Sequence, residues 1–440
     1  MVRGIARGET ESVIYYEAAM IDPDDRAFLT RLFGAAIAAA DPKLAMKSAL
    51  PSRPAGRTVV IGAGKAAAQM AAAFEGLWSA RVEGVVVTPY GNSVPTRHIR
   101  VLEASHPVPD AAGLAATEAL FAAVQGLSED DLVVALISGG GSALLPAPTD
   151  GLGLEDEQAL NEALLGSGAP ISVMNAIRKQ ISRIKGGRLA VAAYPARVVS
   201  FVVSDVPGDD PAQVASGPTV PDAIGRDKAR AHAAAYRIDL PESVSAYLKG
   251  GAGEAPSPDD PRFAKNEVRV VASAAISLGA AAKVAEAKGV AAVILSDAIE
   301  GEARVIGAMH AAIAREVRLR SRPFKAPVVI LSGGETSVTF SGPGGRGGRN
   351  TEFLLAFAGG IEGLSLTALA ADTDGIDGSE DNAGAFAGGT TWARLRSAGY
   401  DPAAVLAGHD AWTAFDALGD LFVPGSTGTN VNDFRALLIR

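Results

Sequence analysis

The residues able to do chemistry in this chain stand beside glycines at the ends of apolar runs. Lys65 follows Gly62-Ala63-Gly64, directly after Val59-Val60-Ile61. A short strand, a tight glycine turn and a helix N-terminus would leave backbone N–H groups free for an anion, and Lys65 adds a full positive charge. Ser138-Gly139-Gly140-Gly141-Ser142 closes a second apolar run, and its glycines would expose a row of amides to an anion. Asp205 and Asp209 follow a third run, in Ser204-Asp205-Val206-Pro207-Gly208-Asp209-Asp210-Pro211. Carboxylates there suit Mg²⁺ or a proton from an attacking hydroxyl. Arg178 and Lys185 are seven residues apart, which puts them on one face of a helix predicted over 170–184. That basic stretch could hold a small carboxylate.

The second half of the chain repeats the pattern. Gly333, Gly334 and Glu335 end the run Val328–Leu331, and Asp374 lies in Asp372-Thr373-Asp374-Gly375-Ile376-Asp377-Gly378. The latter resembles a calcium loop only superficially, because it follows a strand and lacks the bidentate acid of an EF-hand. Arg346, Arg349 and Asn350 lie in Gly344-Gly345-Arg346-Gly347-Gly348-Arg349-Asn350. Glycines there would let backbone close on a phosphate while a guanidinium forks onto it. Gly425-Ser426-Thr427-Gly428-Thr429-Asn430 supplies short polar donors for phosphate or hydroxyl groups. Each loop also has a plainer reading: a β-to-α turn at 62–65, a solvated basic face at 178–188, hairpin tips at 344–349 and 422–433.

Several classes are disfavoured. Gly62-x-Gly64-x-x-Ala67 matches a dinucleotide fingerprint, yet the next strand ends Val87-Thr88-Pro89-Tyr90 without the ribose-binding acid. Ala66 stands where a Walker A loop needs Ser or Thr. The five histidines have no metal-type spacing, and no Gly-x-Ser-x-Gly elbow ends a strand. A net charge of -9 argues against nucleic acid. No apolar run approaches the ~20 residues of a membrane span. The chain has no cysteine, so disulfide and thiolate chemistry are excluded and a cytoplasmic location is expected. Residues 1–19 carry Arg3 and Arg7 without an apolar signal core, and read as a loose tail ahead of Met20.

Short apolar runs alternating with helical patterns predict an α/β protein with parallel sheet and functional loops at the carboxyl ends of strands. At 440 residues two domains are expected. The Gly-, Pro- and acid-rich segment 250–262 reads as a linker between domains at 20–249 and 263–440.

Taken together and in order, these stretches resemble the glycerate 2-kinase family whose C-terminal part is the MOFRL domain. Carrying the resemblance are Gly62-Ala-Gly-Lys-Ala, Ser105-His-Pro-Val-Pro-Asp, Ile137-Ser-Gly-Gly-Gly-Ser-Ala, Asn175 through Lys185-Gly-Gly-Arg-Leu, the Asp205 loop, Ser216-Gly-Pro-Thr, Ser332-Gly-Gly-Glu-Thr, Gly347-Gly-Arg-Asn, Thr373-Asp-Gly-Ile-Asp-Gly and Gly425-Ser-Thr-Gly-Thr-Asn. The resemblance implies ATP-dependent phosphorylation of D-glycerate at its 2-hydroxyl with Mg²⁺, in a cleft between a Rossmann-like N-terminal domain and a distinct α/β domain. It implies Lys65 and Arg349 as catalytic cations, with Arg346 a second candidate. On physical grounds Asp205 or Asp209 would take the hydroxyl proton, and Asp205 and Asp374 would hold the metal. The glycine loops, with Arg178, Lys185, Glu335 and Asn350, would line the substrate and nucleotide sites. The family usually has Gln after Arg-Asn, where this chain has Thr351. It has also carried the label hydroxypyruvate reductase, so an NAD(P)H-dependent reductase is the alternative. Partners are expected to be small molecules, in a monomer or homodimer.

Overall fold

Val59-Val60-Ile61 forms the centre of strand β1 (Thr58–Ala63) in the computed structural model, which describes residues 20–250, 254–339 and 344–440. The 1–19 tail lies outside the described residues, as does part of the 250–262 segment. The first sheet adds β2 (Glu83–Pro89), β3 (Ile99–Ala104), β4 (Leu132–Ser138), β5 (Arg197–Val203) and β6 (Glu267–Ala272). All pair in parallel, in the order β3-β2-β1-β4-β5-β6. This is the doubly wound order of dinucleotide-binding sheets, with its switch point between β1 and β4. Apolar side chains of β1, β4 and β5 fill cores on both faces, which is why these runs are continuous rather than alternating.

The second sheet contains β7 (Ala291–Ser296), β9 (Val328–Gly334), β11 (Leu366–Asp372), β12 (Gly384–Gly388), β13 (Leu421–Phe422) and β14 (Asp433–Ile439). Its order is β13-β12-β11-β14-β9-β7, mixed, with only β7 and β9 parallel. A separate two-strand ladder joins β8 (Gly301–Glu302) to β10 (Thr336–Ser337). Helices from residues 154 to 250 form a cap with its own apolar cluster around Leu160, Ile177, Ala229 and Leu248.

The two sheets do not divide at 250–262. After that segment the chain returns to the first sheet, where Val270 of β6 pairs with Val202. Helix Pro23–Ala40, capped by Asp22, instead packs on the second sheet, through Phe28, Leu29, Leu32 and Phe33 against Leu331, Phe386 and Phe434. The chain thus crosses between the units twice, which couples them. The helix predicted over 170–184 ends at Gln180, so Arg178 and Lys185 do not share a helix face. Ser182 bridges to Pro148, and its Oγ accepts from the Lys185 amide at 3.2 Å, which draws the chain out of the helix.

Phe33 meets Phe422 and Phe434 edge to face at 5.1 and 5.7 Å. Phe33→Ala is expected to cost about 3–5 kcal/mol, read as a lower urea midpoint. An unchanged midpoint would mean that this helix is dispensable to the second sheet.

Candidate active site

The carboxyl ends of β1, β4 and β5 face the polar ends of β9, β11 and β14 across a cleft of about 300 Å³. From the first unit come Lys65, Ser138, Gly139 and Asp205. From the second come Glu335, Asp374, Asn430 and Asn432. The loop ahead of β14 builds much of that wall and also ties the units together. Asn432 Nδ2 donates to the Asp205 carbonyl at 2.9 Å, Thr429 Oγ1 to the Ala40 carbonyl at 3.0 Å, and Val431 is buried in the first unit's core.

The Gly62 turn is built differently from its sequence reading. The amide of Gly64 donates to Val87 O, Lys65 to Gly139 O and Ala67 to Gly64 O, while Ala66 donates to Ser138 Oγ at 3.0 Å. None of these four N–H groups is left for an anion. The glycines are needed for close packing: a Cβ on Gly62 would lie 2.4 Å from Leu136 O, and one on Gly64, at φ +133°, 2.2 Å from Ser138 Oγ. Lys65 is what this turn offers the cleft. Its side chain is exposed and has no ion-pair partner within 4 Å among the described residues.

Asp205 is the chemical counterpart of Lys65. Its carboxylate packs on Gly139, where a Cβ would fall 1.7 Å from Oδ2. Apart from its own backbone N–H, it accepts no hydrogen bond among the described residues. Burial pushes it up to about 6, with Lys65 pulling down and Glu335 pushing up. Asp374 Oδ1 accepts from Ile376 N at 2.8 Å and Oδ2 from Asn430 at 3.2 Å, which fixes it in the opposite wall. Asp209 lies behind Asp205, in a smaller acidic recess with Asp297 and Glu300.

Mg²⁺ is implied by the resemblance, and the donors fit a hard cation. Asp205 and Asp374 line one cleft with amide and hydroxyl oxygens, and the Asp205 carboxylate lacks a partner. No group of three or more His, Cys, Asp or Glu able to hold an ion alone occurs among the described residues. One or two carboxylates completed by substrate phosphates is how Mg²⁺ is usually held in phosphotransferases.

Arg349 does not present a bare charge to the cleft. Its Nε donates to Asp433 at 2.6 Å, Nη1 to Glu335 at 2.9 Å, and Nη2 to Asp372. Burial opposes its charge, but Asp433, Asp372 and Glu335 hold it well above the ordinary arginine value. Asn350 is buried and donates to Asp433 at 2.9 Å, so it braces this cage rather than touching the cleft. Thr351 closes the start of the same helix: Gly348 N donates to its Oγ1, which donates to Asp377 at 2.8 Å. Its role is structural. Arg346 lies elsewhere, stacked over Trp412 at 3.4 Å and paired with Glu380. Gly333 and Gly334 are β9 residues, and a Cβ on Gly334 would strike the Ile299 backbone at 2.2 Å. They serve packing.

Gly140, Gly141 and Ser142 continue from Gly139 into a short helix at 141–144 and lead away from the cleft. Ser142 bonds Ser216 at 2.7 Å, and with Arg178 and Lys185 it lines a small side cavity. Two cleft residues, Gln69 and Asn92, and a neighbour, His106, escaped the sequence reading. Gln69 lines the cleft with its Oε1 unpaired, and Asn92 lies beside it. His106 sits within 3.1 Å of where a Gly140 Cβ would be, as does Lys65 Cγ. Burial and then Lys65 hold His106 below the ordinary histidine value, so its imidazole is neutral at neutral pH. The stretch 105–110 belongs to a motif of the family resemblance, and its histidine is the signal the sequence offers.

A doubly wound domain and a mixed α/β domain enclosing a cleft of cations and carboxylates define a two-domain α/β enzyme fold. Residues 28–249 match a family described as "Domain of unknown function (DUF4147)", and residues 328–433 match the MOFRL family. A Pyrococcus horikoshii protein named "Glycerate 2-kinase" is 39% identical over 435 residues, covering 96% of this chain and 98% of its own. An Agrobacterium vitis protein named "Putative hydroxypyruvate reductase" is 54% identical over 421 residues, covering 95% of each. The crystal structure of a glycerate kinase from Thermotoga maritima aligns with TM-score 0.86 at 37% identity, over 95% of this chain and 100% of that one. The chain belongs to the DUF4147/MOFRL glycerate kinase family.

The buried Asp205 charge works against the fold. Its carboxyl binds a proton more tightly folded than unfolded, so its stabilising effect is full below pH 3.8 and lost as pH rises through about 6. Asp205→Asn is therefore expected to raise Tm at pH 8 relative to the parent, with the gain shrinking toward pH 4. A lower Tm at pH 8 would mean that Asp205 is a structural anchor.

Proposed function

We propose that this protein transfers the γ-phosphoryl group of ATP to the 2-hydroxyl of D-glycerate. The observation that carries the reading is the unpaired Lys65 ammonium beside the unpartnered Asp205 carboxylate, facing the oxygen-rich wall of Glu335, Asp374 and Asn430. Phosphoryl transfer asks for positioning and charge neutralisation rather than covalent help. Lys65 neutralises the moving phosphoryl group. Asp205, ionised above pH about 6, accepts the hydroxyl proton as the new P–O bond forms. Mg²⁺ held by Asp205 and Asp374 would shield the nucleotide phosphates. Arg349 joins through Glu335: that carboxylate is 55% exposed, the most accessible of the three partners, and is the one an incoming phosphate would displace. The regiochemistry, ATP and Mg²⁺ rest on the family relationship. The proposed setting is the cytoplasm; no helix among the described residues is long and apolar enough to cross a membrane.

A nicotinamide-dependent reductase is less well supported. Its pyrophosphate would rest on the Gly62 turn, whose amides at residues 64–67 are already bonded within the protein. Strand β2 ends Val87-Thr88-Pro89, with no acid at its carboxyl end for a ribose.

Two parallel assays test this: ADP release from ATP with D-glycerate, and NADH loss with hydroxypyruvate. Glycerate-dependent ADP release without NADH loss is expected; the reverse overturns the kinase. Lys65→Ala should lower kcat by two orders of magnitude or more with Tm unchanged, because Lys65 is exposed and unpaired. Turnover should also fall at acid pH, where Asp205 takes up a proton, with Mg²⁺ on that carboxylate moving the fall below the metal-free value of about 6.

A further inference from the structure

A buried cation usually meets an anion. Arg178 is largely buried, yet its guanidinium donates to two neutral oxygens, Asn161 Oδ1 at 2.5 Å and Asn175 Oδ1 at 3.2 Å. No carboxylate lies within ion-pair distance of it among the described residues. Burial accordingly holds it down to about 10. The nearest acid that influences it, Glu157, is already engaged by Lys185 Nζ at 2.5 Å and by the Ala147 amide at 3.0 Å. Arg178, Lys185 and Glu157 line one cavity of about 20 Å³ with Ser142. Two cations against one carboxylate leave that cavity with a net positive charge. The volume accepts about one water-sized group, the size of a carboxylate oxygen.

The cavity and the cleft have no lining residue in common, but two loops run from one to the other. Ser138 and Gly139 line the cleft, and Ser142, one turn later, lines the cavity. Pro109 lines the cavity, while His106 of the same loop stands at the junction with Lys65. Arg178 is held toward this junction by Asn161, whose amide also reaches the Pro107 carbonyl.

We propose that this cavity is the carboxylate subsite of the substrate, with Arg178 as the recognising charge and Ser142 as its neighbour. The inference rests on the glycerate-phosphorylating reading above and deepens it. A 2-hydroxy acid anchored here by its carboxylate carries its hydroxyl past His106 toward Lys65 and Asp205. The neutral imidazole adds no charge to attract the carboxylate away from Arg178. Selection is then for small hydroxy acids over neutral polyols of the same length, because an unfilled subsite leaves a buried cation uncompensated.

The test is calorimetric titration of D-glycerate into the full chain and into Arg178→Gln, with ATP turnover followed in parallel. Arg178→Gln is expected to weaken D-glycerate about 100-fold while KM for ATP stays within about twofold. Its preference for D-glycerate over glycerol should also collapse. Should Arg178→Gln not fold, Arg178→Lys and Ser142→Ala are read in its place, each with weakened D-glycerate and unchanged ATP. Equal D-glycerate affinity in parent and variants overturns the subsite while leaving the kinase intact. A parent that binds D-glycerate through Arg178 without consuming ATP overturns the kinase and keeps the subsite. A parent that binds no D-glycerate overturns both.

Discussion

Asp433 is fully buried at the start of the last strand and balances two guanidinium groups. One oxygen accepts from Arg349 and Asn350, the other from Arg435 and the Thr336 amide. A buried ion network of this kind costs desolvation, which the pairing of its members must offset. Here most donors and acceptors are paired across β14, the β9–β10 turn, the helix at 349–360 and the loop after β11, with Arg435 Nε and Asn350 Oδ1 left over. Removing Asp433 would strand the buried Arg435 guanidinium, at a cost of about 3–5 kcal/mol. The wall bearing Glu335 and Asp374 is braced by this network, through the Arg349–Glu335 pair and the Asp374 amide on Asp372.

The opposite wall is built on the other principle. Lys65 and Asp205 are left without saturating partners, whereas several buried lysines and arginines elsewhere are paired with carboxylates. Lys179 is paired with Asp222, Lys185 with Glu157 and Arg394 with Asp420. An unpartnered buried carboxylate lowers stability above its pKa and gains a purpose only when substrate arrives. The two crossings of the chain between the units, with the Asn432–Asp205 and Thr429–Ala40 bonds, hold the braced wall against the reactive one.

Much of this was legible in the sequence. The strands could be read because each is a short continuous run of Val, Ile, Leu and Ala ending in glycine and a polar residue. The loops at their carboxyl ends did contain Lys65, Asp205, Glu335 and Asp374, which the fold gathers into one cleft. Partnerships across long separations could not be read. Gly62-x-Gly64 carries the pattern of an anion turn, but Ser138 and Gly139, over seventy residues away, consume its amides. Arg349 looked like a free cation because Asp372 and Asp433 lie 23 and 84 residues further on. The division at 250–262 followed composition, and composition carries no record that β6 pairs with β5 or that Phe33 meets Phe434. Gln69, Asn92 and His106 lie outside the loops whose glycine runs carry the pattern and gain significance only from what lies beside them.

The central claim is that the two unlike walls meet around a phosphoryl group in transit. A crystal structure of the full chain with D-glycerate and a non-hydrolysable ATP analogue tests it most directly. The account predicts the γ-phosphate within hydrogen-bonding distance of Lys65 Nζ and the glycerate 2-hydroxyl on the Asp205 carboxylate. A nucleotide bound outside this cleft, or a glycerate hydroxyl remote from Asp205, would contradict it.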